Sequence, residues 1–367
     1  MEKAKISAIQ LFALMFIFEL GTGLIVSYGA SAGKDAWLSI LLAICGGGVL
    51  LFVYYCLFRQ YPNLLLTGYI REIFGKYLGW IIGLLYCLFF IYICERNVRE
   101  FGDLLISSTL PETPLVAVNI SLILVMCYVI HLGVEVVGRT SEVFMVILLL
   151  LGVTGNFFIL ISGDVDFQRI RPFLEHGWKP IFTTAFPNLI IFPFGEMIAF
   201  TMLLPYLNRP QFAKRIWLIA LISSGLILVW TALLNMSVLG VDVMKRSTFP
   251  TLKAIGKVSL FNFIERMDAI VVFTLLITVF FKAAIYLYGA VIGIADLFKL
   301  DNYQHILFPI GAIIIFHSMM NASNYPELVE EWMDFGSYYI GIPLLMIIPL
   351  IMLLVSMIRN RYKKKMN

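Results

Sequence analysis

Charge is what this chain of 367 residues has least of: only 14% of its positions are Asp, Glu, Lys or Arg, against about 25% in an ordinary soluble domain. With 60% hydrophobic residues and a mean hydropathy of +0.91, it lacks the polar surface a soluble fold of this size requires. That excludes a cytosolic enzyme, a secreted domain and a disordered scaffold. Cysteine is scarce too. Cys45, Cys56, Cys87, Cys94 and Cys127 all lie in apolar runs, with no Cys-x-x-Cys pair. They read as small buried hydrophobes rather than disulfides or metal ligands. His131, His176, His305 and His317 are dispersed along the chain, so neither a metal nor a cofactor is expected. A net charge of +4 without a large basic patch gives no reason to expect nucleic acid. The first apolar stretch has no small-residue cleavage site and is followed by many more, so it reads as a span and not as a cleaved signal.

What is there is a series of apolar runs of the roughly 20 residues that a bilayer core needs. They fall at 6–30, 36–58, 80–107, 115–133, 142–162, 183–206, 214–240, 262–297, 304–320 and 337–358. In lipid the backbone must satisfy its own hydrogen bonds, so each run is expected to be helical. The expectation is an all-α polytopic membrane protein with ten transmembrane helices, one integral domain over 1–367, whose outer surface meets the lipid bilayer. The segments 61–77 and 249–258 are too polar to span and read as interfacial helices. Ten spans return the chain to its starting side. Lys and Arg concentrate there, in RPQFAKR and the final RNRYKKKMN, while NASNYPELVEEWMDFG after the ninth span carries only acids. The positive-inside rule then puts both termini in the cytoplasm, with 359–367 as a basic cytoplasmic tail.

Two spans are interrupted. Glu19, Gly21, Thr22 and Gly23 fall in the middle of the first, and Pro193, Gly195 and Glu196 in the middle of the sixth. Each leads a group of five spans, 6–162 and 183–358. Discontinuous helices at corresponding places in two halves point to a 5+5 inverted repeat of the transporter type, with helices one and six broken. Packing glycines and a proline kink account for either interruption alone. The matched positions, each with an acid beside it, favour paired breaks.

A charge at bilayer depth needs a partner or a wet cavity. The first and sixth spans offer Glu19 and Glu196, the third Glu95, Arg96, Arg99 and Glu100, and the eighth Lys282, with Arg266 and Asp268 near its outer end. Glu95 with Arg99, and Arg96 with Glu100, are spaced i,i+4 and suit pairing along one helix. The cluster is either self-neutralised, or Glu95 borders a hydrated path. Glu19 is either held by a base or part of a site, and Glu196 adjoins the break itself. Lys282 is either one half of a Lys–Glu pair or a built-in cation, standing where sodium-coupled transporters of this architecture hold an ion between the first and eighth helices.

These residues resemble the B subunit family of bacterial spore-germination receptors, the GerA type, within the amino acid–polyamine–organocation superfamily. The resemblance rests on LGTGLIV in the first span, CERNVREFGD in the third, IRPFLEHG before the sixth, FPFGEM within it, and FPTLKAIGKV followed by FIERMD before the eighth. It implies a LeuT-like fold in the spore inner membrane, and a complex with A and C subunits. It implies that the chain binds the germinant, an L-amino acid or another small nutrient. Carried over by position, the pocket would take Gly21, Thr22 and Gly23 from the first span, and Ile91 and Glu95 from the third. Phe194, Gly195 and Glu196 would close it from the sixth, and Ala283 and Leu287 would line it from the eighth. Lys282 departs from the uncharged polar residue common in the family. Physically, a half-helix after Gly23 would offer free amides to a carboxylate. Carbonyls freed in the sixth span would suit an ammonium together with Glu196, and Phe192 and Phe194 would exclude water. An active secondary transporter of amino acids, proton-coupled or uncoupled, is the competing expectation. A membrane enzyme would need a nucleophile, an acid–base pair or a metal, and His131 and His317, the histidines near spans, have no acid at a convincing spacing.

Overall fold

The computed structural model describes residues 5–26, 29–257 and 268–366, without side chains beyond residue 360. Arg266 and most of the FIERMD motif lie outside the described residues, as do the basic side chains that follow Arg359 at the end of the chain. Among the described residues, seven helices are long and apolar enough to cross a membrane, and three shorter apolar helices complete a set of ten. In chain order they are α1 (Ala8–Leu24), α2 (Ala36–Gln60), α3 (Lys76–Ser108), α4 (Leu115–His131), α5 (Val134–Ile161), α6 (Lys179–Met202), α7 (Ala213–Leu239), α8 (Asp268–Phe298), α9 (Gln304–Met320) and α10 (Tyr325–Asn360).

Helix α8 runs through the centre: every residue from Lys282 to Val291 is buried. Helix α5 lies at the rim, with Val143, Val146, Leu150 and Val153 exposed, as an apolar face turned to acyl chains must be. Helices α2, α6 and α7 approach so closely that glycine is required. A Cβ at Gly47 would fall 2.5 Å from Phe194 Cβ, and one at Gly225 would fall 2.6 Å from the Ile44 side chain. Small residues serve this purpose in membranes, where close backbone approach replaces the hydrophobic drive between helices.

The two segments expected to be interfacial form short helices, Leu66–Phe74 and Pro250–Gly256. The first is pinned to the end of α8, where Asp296 accepts from Thr67 Oγ1 at 2.5 Å and from Arg71 Nη2 at 2.6 Å. The second is held by Thr251, whose hydroxyl donates to the Leu24 carbonyl at 2.5 Å. The tenth helix differs from its expected start at 337. It begins at Tyr325, because Asn324 caps it by accepting from the Glu327 amide at 3.0 Å and Pro326 sits in its first turn, where a missing N–H costs nothing. Tyr325, Leu328 and Trp332 bury one face while Glu327 and Glu330 stay exposed. The acidic stretch is thus the first turns of a helix and not a loop.

At the end of the molecule that carries the N-terminus, α1 is tied to the chain after α6. The Ile6 amide donates to the Tyr206 carbonyl at 2.9 Å and the Asn208 amide to the Ile6 carbonyl at 3.0 Å. Among the described residues this Ile6–Leu207 pairing is the one isolated β-bridge.

Candidate functional site

Both expected interruptions are present. In α1 the α-helical part ends at Leu20, and Gly21 takes φ 39°, ψ −135°, a backbone state that L side chains rarely adopt. The chain then makes a four-residue 3-10 turn, Gly21–Leu24, and not the half-helix expected after Gly23. The amides of Ile25 and Val26 both turn back to the Thr22 carbonyl, so those two are not open to a carboxylate. In α6 the break is at Phe192, φ −124° and ψ 116°. This is the residue before Pro193, which proline pushes out of the helical region. The Gly195 carbonyl beyond it lies 3.0 Å from the Tyr54 hydroxyl, which reaches the Leu345 carbonyl at 2.5 Å as well.

The space between the breaks is filled by charge. Lys282 Nζ lies 2.6 Å from Glu196 Oε2, and both side chains are fully buried. The Lys282 chain lies along Gly21, where a Cβ would meet its Cδ at 2.9 Å. Its ammonium lies 3.8 Å from the centre of the Phe192 ring and 5.4 Å from that of Phe18. Glu19, also fully buried, is held from α7 by Ser224 at 2.5 Å. Glu100 reaches the same region from α3, where the Thr22 hydroxyl donates to it.

Above Phe192, on the side away from the Ile6 clasp, a vestibule of about 550 Å³ opens, with Asn97, Glu100, Asn188, Phe192 and Trp332 among its walls. Phe192 therefore separates the vestibule from the Lys282–Glu196 pair. Phe192 and Trp332 meet edge to face with centroids 6.4 Å apart. The Arg96 guanidinium stands 5.4 Å from the Trp332 ring, is bound to Glu331, and donates to the Leu328 carbonyl at 2.5 Å.

The i,i+4 pairs expected within α3 do not form. Arg99 pairs with Asp103 at 2.9 Å and donates to the Ser318 carbonyl at 3.1 Å. Arg96 goes to α10, and Glu95 lies 2.9 Å from Nδ1 of the exposed His317 on α9. The reason is competition: Arg96 and Glu100 share the vestibule face, but Glu331, Asp103 and His317 offer Arg96, Arg99 and Glu95 closer partners. Of the expected pocket residues, the structure brings together Gly21, Thr22 and Glu196 around Lys282. Gly23 and Gly195 flank them. Ile91 and Glu95 do not join them. Phe194 is a packing residue, wedged against Gly47 and Gly225. Ala283 and Leu287 are buried with α8 against α3, where the Cys94 thiol meets the Ala283 carbonyl at 3.4 Å. Sequence reasoning missed Asn97, Ser224, Glu331 and Trp332. Asn97 stands inside CERNVREFGD, where its neutral amide is overshadowed by the full charges on either side.

A family model described as "Spore germination protein" matches residues 5–326. The chain belongs to the spore germination protein family. Among its relatives is spore germination protein KB of Bacillus subtilis (strain 168), 36% identical over all of this chain and 98% of the relative. Spore germination protein A2 of the same organism is 24% identical, covering 98% of each chain. Among solved structures, the nucleobase-cation-symport-1 family transporter MHP1, in a closed conformation with bromovinylhydantoin bound, superposes with a TM-score of 0.68 at 13% identity, covering 97% of this chain and 90% of that one. MhsT in complex with L-phenylalanine superposes with a TM-score of 0.65 at 13% identity, covering 97% and 89%. This family member is an integral, multi-pass membrane protein with the LeuT-like fold.

The Arg96–Glu331 contact gives a first measurable consequence. Glu331 is about one-third exposed, which screens the pair, while Arg96 keeps its carbonyl and ring contacts. Glu331→Gln is expected to lower stability by about 1 kcal/mol, seen as a reduced Tm of the purified protein in detergent. An unchanged Tm would show that the pair contributes nothing net.

Proposed function

We propose that this chain is the germinant-binding membrane subunit of a spore germination receptor. It recognises a small nutrient, an amino acid in the first instance, and passes the resulting conformational change to partner A and C subunits. The observation that carries this reading is the arrangement of a germination-family chain around two broken helices: an accessible vestibule ends on Phe192, and beneath it lie Lys282 and Glu196. A ligand acts on such a device by binding one state better than another, which is all that signalling requires. The same reading places the chain in the spore inner membrane as one integral domain. Its repeats are 6–162 and 183–358, and both termini, with the basic tail 359–367, lie in the cytoplasm. Lys282 Nζ, fixed beside the α1 break, takes the place of a coupling cation, so ligand binding proceeds without sodium.

The likeness to two transporter structures favours a second reading, an active secondary transporter, since one fold serves both tasks. The test is a thermal-stabilisation screen of the purified chain against amino acids and other small nutrients, with and without sodium, followed by flux assays in liposomes. Sodium-independent stabilisation with no flux is the expected result. Flux of the stabilising compound by the isolated chain would replace the receptor with a transporter.

A further inference from the structure

The vestibule floor carries hydrogen-bond acceptors whose partners are missing. Asn97 is 3% exposed. Its amide nitrogen donates to the Ile93 carbonyl at 2.7 Å, which fixes the orientation of the group and leaves Oδ1 as the free end. Among the described residues that oxygen has no hydrogen-bond partner, and neither do Glu100 Oε2 and Asn188 Oδ1. Asn97 and Glu100 are three apart on α3 and therefore share one face of it. Asn188 comes from the half of α6 before the break. All three line the vestibule. Leaving a buried acceptor unmet costs its full desolvation, so such atoms mark a place where a donor belongs.

Of the cations that line or border the vestibule, Lys245 and Arg246 are exposed, and the two buried ones are committed elsewhere. Arg96 is bound to Glu331 and to the Leu328 carbonyl. Lys282 pairs with Glu196 behind Phe192. Among the described residues, what remains without a partner in the floor is two amide oxygens and one carboxylate oxygen; the Phe192 and Trp332 rings already meet Lys282 and Arg96. The complement of that set is a compact positive group with several N–H donors. A primary ammonium has three donors and no acceptor.

Resting on the reading that the chain binds a small nutrient, we propose that the ligand first binds in the vestibule, above Phe192, with a primary ammonium held by Asn97 Oδ1, Glu100 Oε2 and Asn188 Oδ1. The helix breaks are not where it sits in this conformation, because the Lys282 side chain already fills the space beside Gly21. The ammonium comes to rest on the vestibule side of Phe192, and Lys282 remains on the other.

The experiment uses the full chain in detergent and three matched sets of probes: L-amino acids, their methyl esters, which keep the ammonium and lose the carboxylate charge, and their N-acetyl derivatives, which lose the ammonium. Binding is read as a concentration-dependent rise in Tm. For an amino acid that binds, the ester is expected to retain binding and the N-acetyl form to lose it. Asn97→Leu and Glu100→Gln should each weaken binding at least tenfold, while Asn97→Asp, which keeps an acceptor, should not. Equal binding of the N-acetyl form overturns the proposal. So does wild-type affinity in Asn97→Leu and Glu100→Gln together with loss in Glu196→Gln, which would put the ligand below Phe192 and leave the receptor reading intact. If no amino acid raises the Tm of the wild-type chain, the amino-acid form of that reading fails as well, and this proposal with it.

Discussion

Lys282→Met is expected to destabilise the protein by about 3–5 kcal/mol, the usual cost of stripping one partner from a buried ion pair. The ammonium lies 2.6 Å from Glu196, and Glu19 and Glu196 are both fully buried. Methionine matches the length of the lysine stem, so packing is largely kept and the effect reports on charge. Its removal leaves two carboxylates in an apolar interior with no fixed cation between them. The double variant Lys282→Met/Glu196→Gln should recover most of the loss, because an uncharged pair no longer carries the uncompensated desolvation. Thermal or denaturant unfolding in detergent gives both numbers. A single variant as stable as the wild type would mean that the pair does not organise the centre of the bundle.

Gly21→Ala should cost about 3 kcal/mol for two separable reasons. Its φ of 39° with ψ −135° is a strained state for any residue with a Cβ. In addition, the new methyl would sit 2.9 Å from Lys282 Cδ and 3.3 Å from Nζ, so the lysine must move away from Glu196 or the break must refold. The control is Gly152→Ala in α5, where nothing lies within 4 Å of the added atom, and little change is expected. The Tm of the two variants makes the comparison. Equal values would mean that the α1 interruption relaxes freely.

The ten-helix plan was legible because apolar length is a local property of the sequence. The breaks were legible for the same reason: Gly21 and Pro193 act on their own backbone and on the residue before them. The partners of α3 were not. Arg96 and Glu95 carry spacings that find partners within the helix on paper, but their actual contacts are Glu331 and His317, more than 200 residues away in the sequence; Arg99 stays local, on Asp103, and adds the distant Ser318 carbonyl. Helical periodicity says which residues share a face and not which neighbour that face will meet. Phe194 and Phe192 show the same limit. They flank one proline, yet the kink sends one between Gly47 and Gly225 and the other over Lys282. The early start of α10, by contrast, was written in the sequence: Asn324 followed by Pro326 and Glu327 is a helix-start signal, obscured by the acids beyond it.

The clasp between Ile6 and the Tyr206–Asn208 segment is built from main-chain atoms alone. Amino-acid exchange can therefore reshape the side chains around this latch without loosening it, and only a proline at 6 or 208 would delete one of its two donors. The floor of the bundle is locked by a feature that sequence drift can scarcely reach, while its roof hangs on side chains that drift can retune.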